Sequence, residues 1–368
     1  MRGSIAIWRD AEFIKASGYA PKVEAHINIW RNSLRKPGRH DLLDVGILFQ
    51  EVRALCSLSI SLPFKVKAGQ VSDLFEVMND DTTLSAIFNE TLEARGTSRS
   101  EDGFEAFHTE RSCVQCFVHR CRAERDWTLK ELQDEDDTCS VIVIRPGFFK
   151  RLREVGDHYV RLRIEVPIDQ PNGFVSTINP EDSAFVSTIS TSEIVEIRLN
   201  EMRNFSPALR RELKEESREL IDISAVHYFL IRDMSVEMTQ SHMTFRKMRR
   251  LEPKIWDKYL AGHGGFRAPD LIIYHWASFA KSNTEPVDSF TALATFRAYY
   301  TGSLLKYALV IIALGALGSA LQGWGTEVLK AVLPESWAAY GAFLANVVLF
   351  GLLSFTLWLF VKFKKNRR

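Results

Sequence analysis

Within the stretch HTERSCVQCFVHRC (residues 108–121), Cys113 and Cys116 stand in a C-x-x-C spacing, with His108, His119 and Cys121 close by. Two thiolates three residues apart can share one tetrahedral zinc ion, and an imidazole nitrogen is a natural further ligand. The remaining candidates lie too close to the first pair for an ordinary finger, and no second C-x-x-C follows. CVQCFVH also alternates like a strand, which favours buried structural cysteines, with Cys113/Cys116/His119/Cys121 as a metal site the alternative. The carboxylates of QDEDDT (133–138) read as a solvated turn. No P-loop, G-x-S-x-G, H-E-x-x-H or G-x-G-x-x-G fingerprint is present. These residues therefore assign no catalytic group, no metal and no cofactor, and the expectation is a protein that is not an enzyme.

Basic residues set among aromatic ones are the stronger signal. FRKMRRLEPKIW (245–256) carries Arg246, Lys247, Arg249 and Arg250 beside Phe245 and Trp256. IRLNEMRN (197–204) carries Arg198, Asn200 and Arg203, and WRNSLRKPGRH (30–40) carries Arg31, Arg35, Lys36, Arg39 and His40. Guanidinium forks suit phosphates, and neighbouring rings can stack on bases. Arg198, Asn200, Arg203, Arg246, Arg249 and Arg250 are the candidate ligand-binding residues. A nucleotide or single-stranded DNA is the ligand they suit, and a solvated face with ordinary ion pairs is the alternative.

The elements that must position these residues are mostly strands. VEAHINIW (23–30), DVGILFQEV (44–52), CSLSISLPF (56–64), CSVIVIRP (139–146), YVRLRIEVP (159–167), SEIVEIRLNE (192–201), AVHYFLIRD (225–233) and DLIIYHWASF (270–279) are rich in Val, Ile and aromatics, and many alternate. Helical patterns lie between them: SDLFEVM with Ser72 as N-cap, TLSAIFNETLEA, PALRRELKEESREL, and TFRKMRRLEPKIWDKYL on either side of Pro253. FVSTI occurs twice, at 174–178 and 185–189, around a turn-rich link. The reading is an α+β fold with mixed antiparallel sheets. It divides into a strand-rich sensor subdomain over 1–170, a second α+β subdomain over 171–300, and a transmembrane module over 301–368.

That module rests on two uncharged runs, Tyr307–Thr326 and Trp337–Val361. A helix needs about 20 residues to cross a hydrocarbon core, so helices are expected at about 304–325 and 337–361. Tyr299, Tyr300, Tyr307, Trp324, Trp337, Tyr340 and Trp358 flank them as interfacial aromatics do. The tail Lys362, Lys364, Lys365, Arg367, Arg368 carries five positive charges, which leaves residues 1–361 at −4 against a total of +1. Positive flanks stay in the cytoplasm. The expected topology is a hairpin in the inner cell membrane, with both the N-terminal region and the C-terminus cytoplasmic. The N-terminus lacks the apolar core of a secretory signal, and an odd set of five cysteines fits a reducing compartment. Gly315 and Ser319 at i, i+4, with Asn346 in the second run, are candidates for close helix contacts or a pore, and hence for a homo-oligomer. The alternative is a hairpin that serves as an anchor alone.

A large cytosolic region without a catalytic signature, followed by a C-terminal pair of transmembrane helices over 303–368, resembles the membrane effectors of bacterial anti-phage defence, of the Hailong type in particular. The resemblance implies an oligomeric channel controlled by a single-stranded DNA signal from a partner nucleotidyltransferase. It carries no site residue, because no motif anchors one. On this reading the chain is a regulated membrane effector, and a membrane-anchored scaffold or sensor is the alternative.

Overall fold

The structure is a computed structural model. It describes residues 4–10, 21–32, 40–50, 52, 55–96, 102–133, 138–152, 155–166, 173–178, 190–214, 218–282, 285–299, 301–332, 334, 340–341, 343, 347–348, 350–351 and 355.

The strands are β1 (Ser4–Asp10), β2 (Lys22–Trp30), β3 (Asp41–Gln50), β4 (Leu58–Leu62), β5 (Val71–Asp73), β6 (Leu92–Gly96), β7 (Gly103–His108), β8 (Cys113–His119), β9 (Trp127–Gln133), β10 (Thr138–Ile144), β11 (His158–Val166), β12 (Val175–Ile178), β13 (Ser190–Leu199), β14 (Arg218–Leu220), β15 (Asp222–Asp233), β16 (Val236–Ser241), β17 (Lys247–Arg250), β18 (Leu271–Phe279) and β19 (Phe290–Tyr299). The helices are α1 (Phe75–Met78), α2 (Asp81–Phe88), α3 (Pro146–Phe149), α4 (Pro207–Lys214), α5 (Pro253–Tyr259) and α6 (Thr301–Val332). A first sheet runs β16-β19-β13-β1-β4-β10-β9, with β12 and β14 attached. A second runs β17-β18-β15-β2-β3-β11-β8-β7-β6, with β5 on β11. Most pairings are antiparallel, but β1–β13, β2–β15 and β8–β11 are parallel. The strand-rich α+β expectation is thus met with mixed sheets.

Alternation dictates how the sheets meet. Successive side chains of a strand point to opposite faces, and Val23, Ala25, Ile27 and Ile29 of β2 enter one core with Val45 and Ile47 of β3, and Val160, Leu162 and Ile164 of β11. Ile5 and Ile7 of β1, Val195 and Ile197 of β13 and Phe296 of β19 supply the other side of that core. The two sheets form a sandwich. The outer face of the second sheet is covered in turn. Trp256 and Tyr259 of α5 pack with Trp30, Ile231 and Ile273, and Phe75, Met78 and Leu84 pack with Leu48 and Tyr159.

Residues before and after 170 interleave in both sheets: β1 pairs with β13, and β2 with β15. Residues 1–183 and 190–299 accordingly form one compact unit, and the boundary read near 170 divides strands that are hydrogen-bonded neighbours. Some local readings change as well. Ser72 lies in β5, and α1 begins at Phe75 with Leu74 as its N-cap residue. Residues 247–250 are a strand and not a helix, because they pair along β18, and helix begins only at Pro253. The first FVSTI contributes β12, while the second lies outside the described residues.

The second compact unit contains α6. Within it, Tyr307–Val332 is long and apolar enough to cross a membrane, with a mean hydropathy of 1.6. Ile311, Ile312 and Leu314 are exposed along it, as are Gly315 and Ser319. Of the second apolar run, Gly341, Phe343, Val347, Val348, Phe350, Gly351 and Phe355 are described and helical. Asn346 and the basic tail lie outside the described residues.

Inside the sandwich, Glu193 of β13 is fully buried and bridges the sheets. It accepts from Arg31 Nη2 at 2.6 Å and pairs with Arg232 Nη2 of β15 at 3.0 Å. Arg31 also pairs with Asp41. Removing one partner of such a cluster leaves buried charge uncompensated. Glu193→Ala is therefore expected to cost about 3–5 kcal/mol, read as a lower midpoint in guanidinium unfolding of the detergent-solubilised chain.

Candidate functional site

The outer face of the second sheet carries an unexpected set of side chains. On β2 the residues alternating with the core are Glu24, His26 and Asn28. Register then builds a row across four strands: His227 opposite His26, His26 opposite Gly46, and Gly46 opposite Arg161. The row opens onto a cavity of about 560 Å³, within the usual range for small-molecule sites of about 300–1,000 Å³. The C-terminal end of α2, Trp256 of α5 and the edge strand β17 complete its walls.

One side of the cavity is aromatic and basic. The His275 ring stacks on Phe229 with centroids 4.3 Å apart and planes 12° from parallel. His227 Nδ1 lies 3.3 Å from His275 Nε2. Arg246, Lys247 and Arg249 line the same cavity, with the Arg246 guanidinium 5.1 Å from the centre of the Phe279 ring. Arg249 pairs with Glu252 at 3.2 Å.

The other side is a buried polar relay. Asp44 accepts from Arg163 Nε at 2.7 Å, Trp30 Nε1 at 2.7 Å and Tyr259 Oη at 2.7 Å. Arg161 donates to Tyr259 Oη and to Tyr159 Oη, each at 2.9 Å, and Tyr159 Oη lies 3.3 Å from His26 Nδ1. Burial works against the charge on Asp44, but the Arg163 guanidinium beside it prevails and holds the group below the usual carboxylate range.

Burial also pushes the His26 imidazole down. It pushes His227 down to about 4, helped by His26 and His275, and His275 down to about 4, helped by Arg246 and Lys247. The three rings are thus neutral at pH 7, while a hydrogen bond to His26 keeps Glu24 in the charged form. One ligand atom each from Glu24, His26 and His227 lies within 4.8 Å of the others.

The residues singled out from sequence separate into two places. Arg246 and Arg249 line the cavity, and Arg250 beside them donates to the Pro269 carbonyl at 3.0 Å. Arg198, Asn200 and Arg203 belong to the first sheet and its following turn. Arg198 is held by Glu196 at 2.7 Å, and the largely exposed Arg203 by Glu201 at 2.8 Å. Asn200 has φ +54°, and its Oδ1 accepts from the Ile7 backbone at 2.9 Å, so it fastens β1 to the end of β13. Neither the two segments nor Arg31, which is committed to Glu193 and Asp41, form one groove with β17. The cysteines do not converge either. Cys113 is exposed, Cys116 and Cys121 lie in different apolar clusters, and burial pushes both of the latter thiols up.

Glu24, His26, His227 and His275 were missed because they occupy the polar phase of alternating strands. The available signal was an ionisable residue at that phase in three separate strands.

No family model matches the chain, and no curated protein matches it. Among solved structures, the Fcho1 Mu homology domain of Danio rerio with bound Eps15 peptide aligns over 76% of this chain and 81% of that one, at 11% identity and a TM-score of 0.16. A correspondence that loose carries no argument.

Gly46 is the position where the row needs empty space. A Cβ there would overlap the Tyr159 hydroxyl and stand 2.7 Å from its Cζ. Gly46→Ala is expected to drive Tyr159 off His26 and to cost about 1–3 kcal/mol by overpacking, read as a lower unfolding temperature.

Proposed function

We propose that the strand-rich unit binds a phosphate-bearing ligand with aromatic bases, a nucleotide or short single-stranded oligonucleotide, and that binding regulates a membrane effector module at the C-terminus. One observation carries the reading: three cations, Arg246 just before β17 and Lys247 and Arg249 on it, line a cavity that also presents stacked and edge-on rings. The cations suit phosphate oxygens, and the ring faces suit bases of any sequence. A single residue, Tyr300, separates the end of β19 from the start of α6 in sequence.

The module itself is proposed as a two-helix hairpin in the inner cell membrane, with the sandwich and the C-terminus in the cytoplasm. It assembles as a homo-oligomer that breaches the membrane when released, in the manner of an anti-phage effector whose signal comes from a partner nucleotidyltransferase. Gly315 supports the oligomer. No described residue outside its own helix backbone and sequence neighbours stands within 4 Å of a Cβ placed there, and Ser319 is exposed on the same helix face.

Binding is tested with a fluorescent single-stranded oligonucleotide and the full chain in detergent. Wild-type affinity is expected to fall linearly in log salt, by about 0.7 per phosphate contact. Arg246→Ala and Lys247→Ala are each expected to weaken it about tenfold or more, as a charge-assisted bond of about 1.5–3 kcal/mol requires. Wild type that binds no oligonucleotide, or variants that bind it unchanged, would overturn the ligand assignment.

Membrane potential after induction tests the effector. Gly315→Leu and Asn346→Leu raise hydrophobicity and are expected to insert at normal levels while depolarising cells less than wild type. A wild type that never depolarises cells would leave an anchor as the module's role.

A further inference from the structure

We propose that Glu24, His26 and His227 form a site for a divalent transition-metal ion of the zinc class, open toward the cavity. The inference stands on its own geometry and does not depend on the oligonucleotide reading.

Parallel register sets His26 and His227 side by side on adjacent strands, and Glu24 shares their face two residues from His26. The ligand atoms already lie within 4.8 Å of one another. Ligands of a tetrahedral zinc ion at about 2.0–2.1 Å are about 3.3–3.4 Å apart. Glu24, at 27% side-chain exposure against 11% for His26, is the more adjustable of the two, and its carboxylate already lies 4.0 Å from His26 Nε2. Two imidazoles and one carboxylate make a donor set that leaves a coordination position for water or ligand.

Each histidine also has a partner for its second nitrogen. Tyr159 Oη faces His26 Nδ1 at 3.3 Å, and Arg161 holds that hydroxyl at 2.9 Å. His275 Nε2 faces His227 Nδ1 at 3.3 Å. Ligating histidines are oriented in this way, with the outer partner fixing the tautomer that presents a lone pair to the metal. A dication beside one carboxylate leaves net positive charge in the cavity, on the same side of neutrality as Arg246 and Arg249.

The experiment uses the full chain in detergent, stripped with a chelator and titrated with Zn²⁺ by calorimetry and with Co²⁺ by visible absorption, in the absence of oligonucleotide. Wild type is expected to take up one ion per chain, to melt at higher temperature with metal, and to give Co²⁺ bands typical of nitrogen and oxygen ligands in low coordination. Glu24→Gln and His227→Asn are expected to lose stoichiometric uptake while keeping the metal-free melting transition. His275→Asn is expected to keep the stoichiometry and weaken affinity about 10–100-fold, whereas His119→Asn, on β8, is expected to bind as wild type does. Wild type without stoichiometric uptake, or Glu24→Gln and His227→Asn with wild-type affinity, would overturn the site. Oligonucleotide binding repeated in chelator separates this outcome from failure of the ligand assignment.

Discussion

Two guanidiniums, those of Arg161 and Arg163, are buried on a sheet face, and the carboxylate of Asp44 is what makes that possible. Removing charge from water costs several kcal/mol per ion unless it is paired and its hydrogen bonds are satisfied. Asp44 meets that condition by accepting from Arg163, Trp30 and Tyr259 at once. The interaction therefore does more than neutralise charge. It ties α5 to the second sheet through Tyr259, fixes the Trp30 indole within the aromatic cluster, and leaves Arg161 free to spend its remaining donors on two tyrosine hydroxyls. Through Tyr159 the order reaches His26. The polar half of the cavity is thus preorganised by a carboxylate that does not itself line it.

The same logic separates structural cations from available ones. Arg163 is buried beside Asp44 on the adjacent strand and Arg232 beside Glu193 on the facing sheet, while the half-buried Arg31 pairs with both Glu193 and Asp41; these pairs tie strands and layers together. Arg246 immediately precedes, and Lys247 begins, the edge strand β17 where the sheet ends, and both line the cavity. An edge position leaves a strand without a neighbour on one flank, so its side chains can meet a ligand without displacing protein. Arg249 is intermediate, since Glu252 already engages it.

Much of the fold was legible in the sequence because alternation is strong where one face is apolar. β2, β11, β13, β15 and β18 all fall within a few residues of where Val and Ile at period two placed them. The covering of the opposite face was not legible. YVRLRIEV reads as a strand, and nothing local reveals that its arginines are buried beside Asp44, far away in the chain. KMRR reads as helix because Lys, Met and Arg favour helices, yet pairing with β18 decides its state, as tertiary context commonly overrides propensity. Asn200 was singled out for its amide beside two arginines, whereas the left-handed backbone and the bond to Ile7 show what the amide does. Of the residues first associated with ligand, Arg246 and Arg249 line the cavity. The histidines had no local signature, since each sits alone in its own strand.

The parallel pairing of β2 with β15 explains why the site could not be read from either half. His26 and His227 become neighbours only when a strand from the first fifty residues lies beside one from beyond residue 220. β18 then adds His275 and Phe279, and the next strand, β19, crosses into the first sheet and leads directly to α6. The chain that forms the cavity's outer wall is therefore one strand removed from the apolar helix. β18 precedes β19 in sequence but pairs with β15 and β17 in the second sheet, whereas β19 pairs with β13 and β16 in the first. The strand that contributes His275 and the strand that precedes α6 are thus consecutive in sequence but belong to opposite sheets of the sandwich.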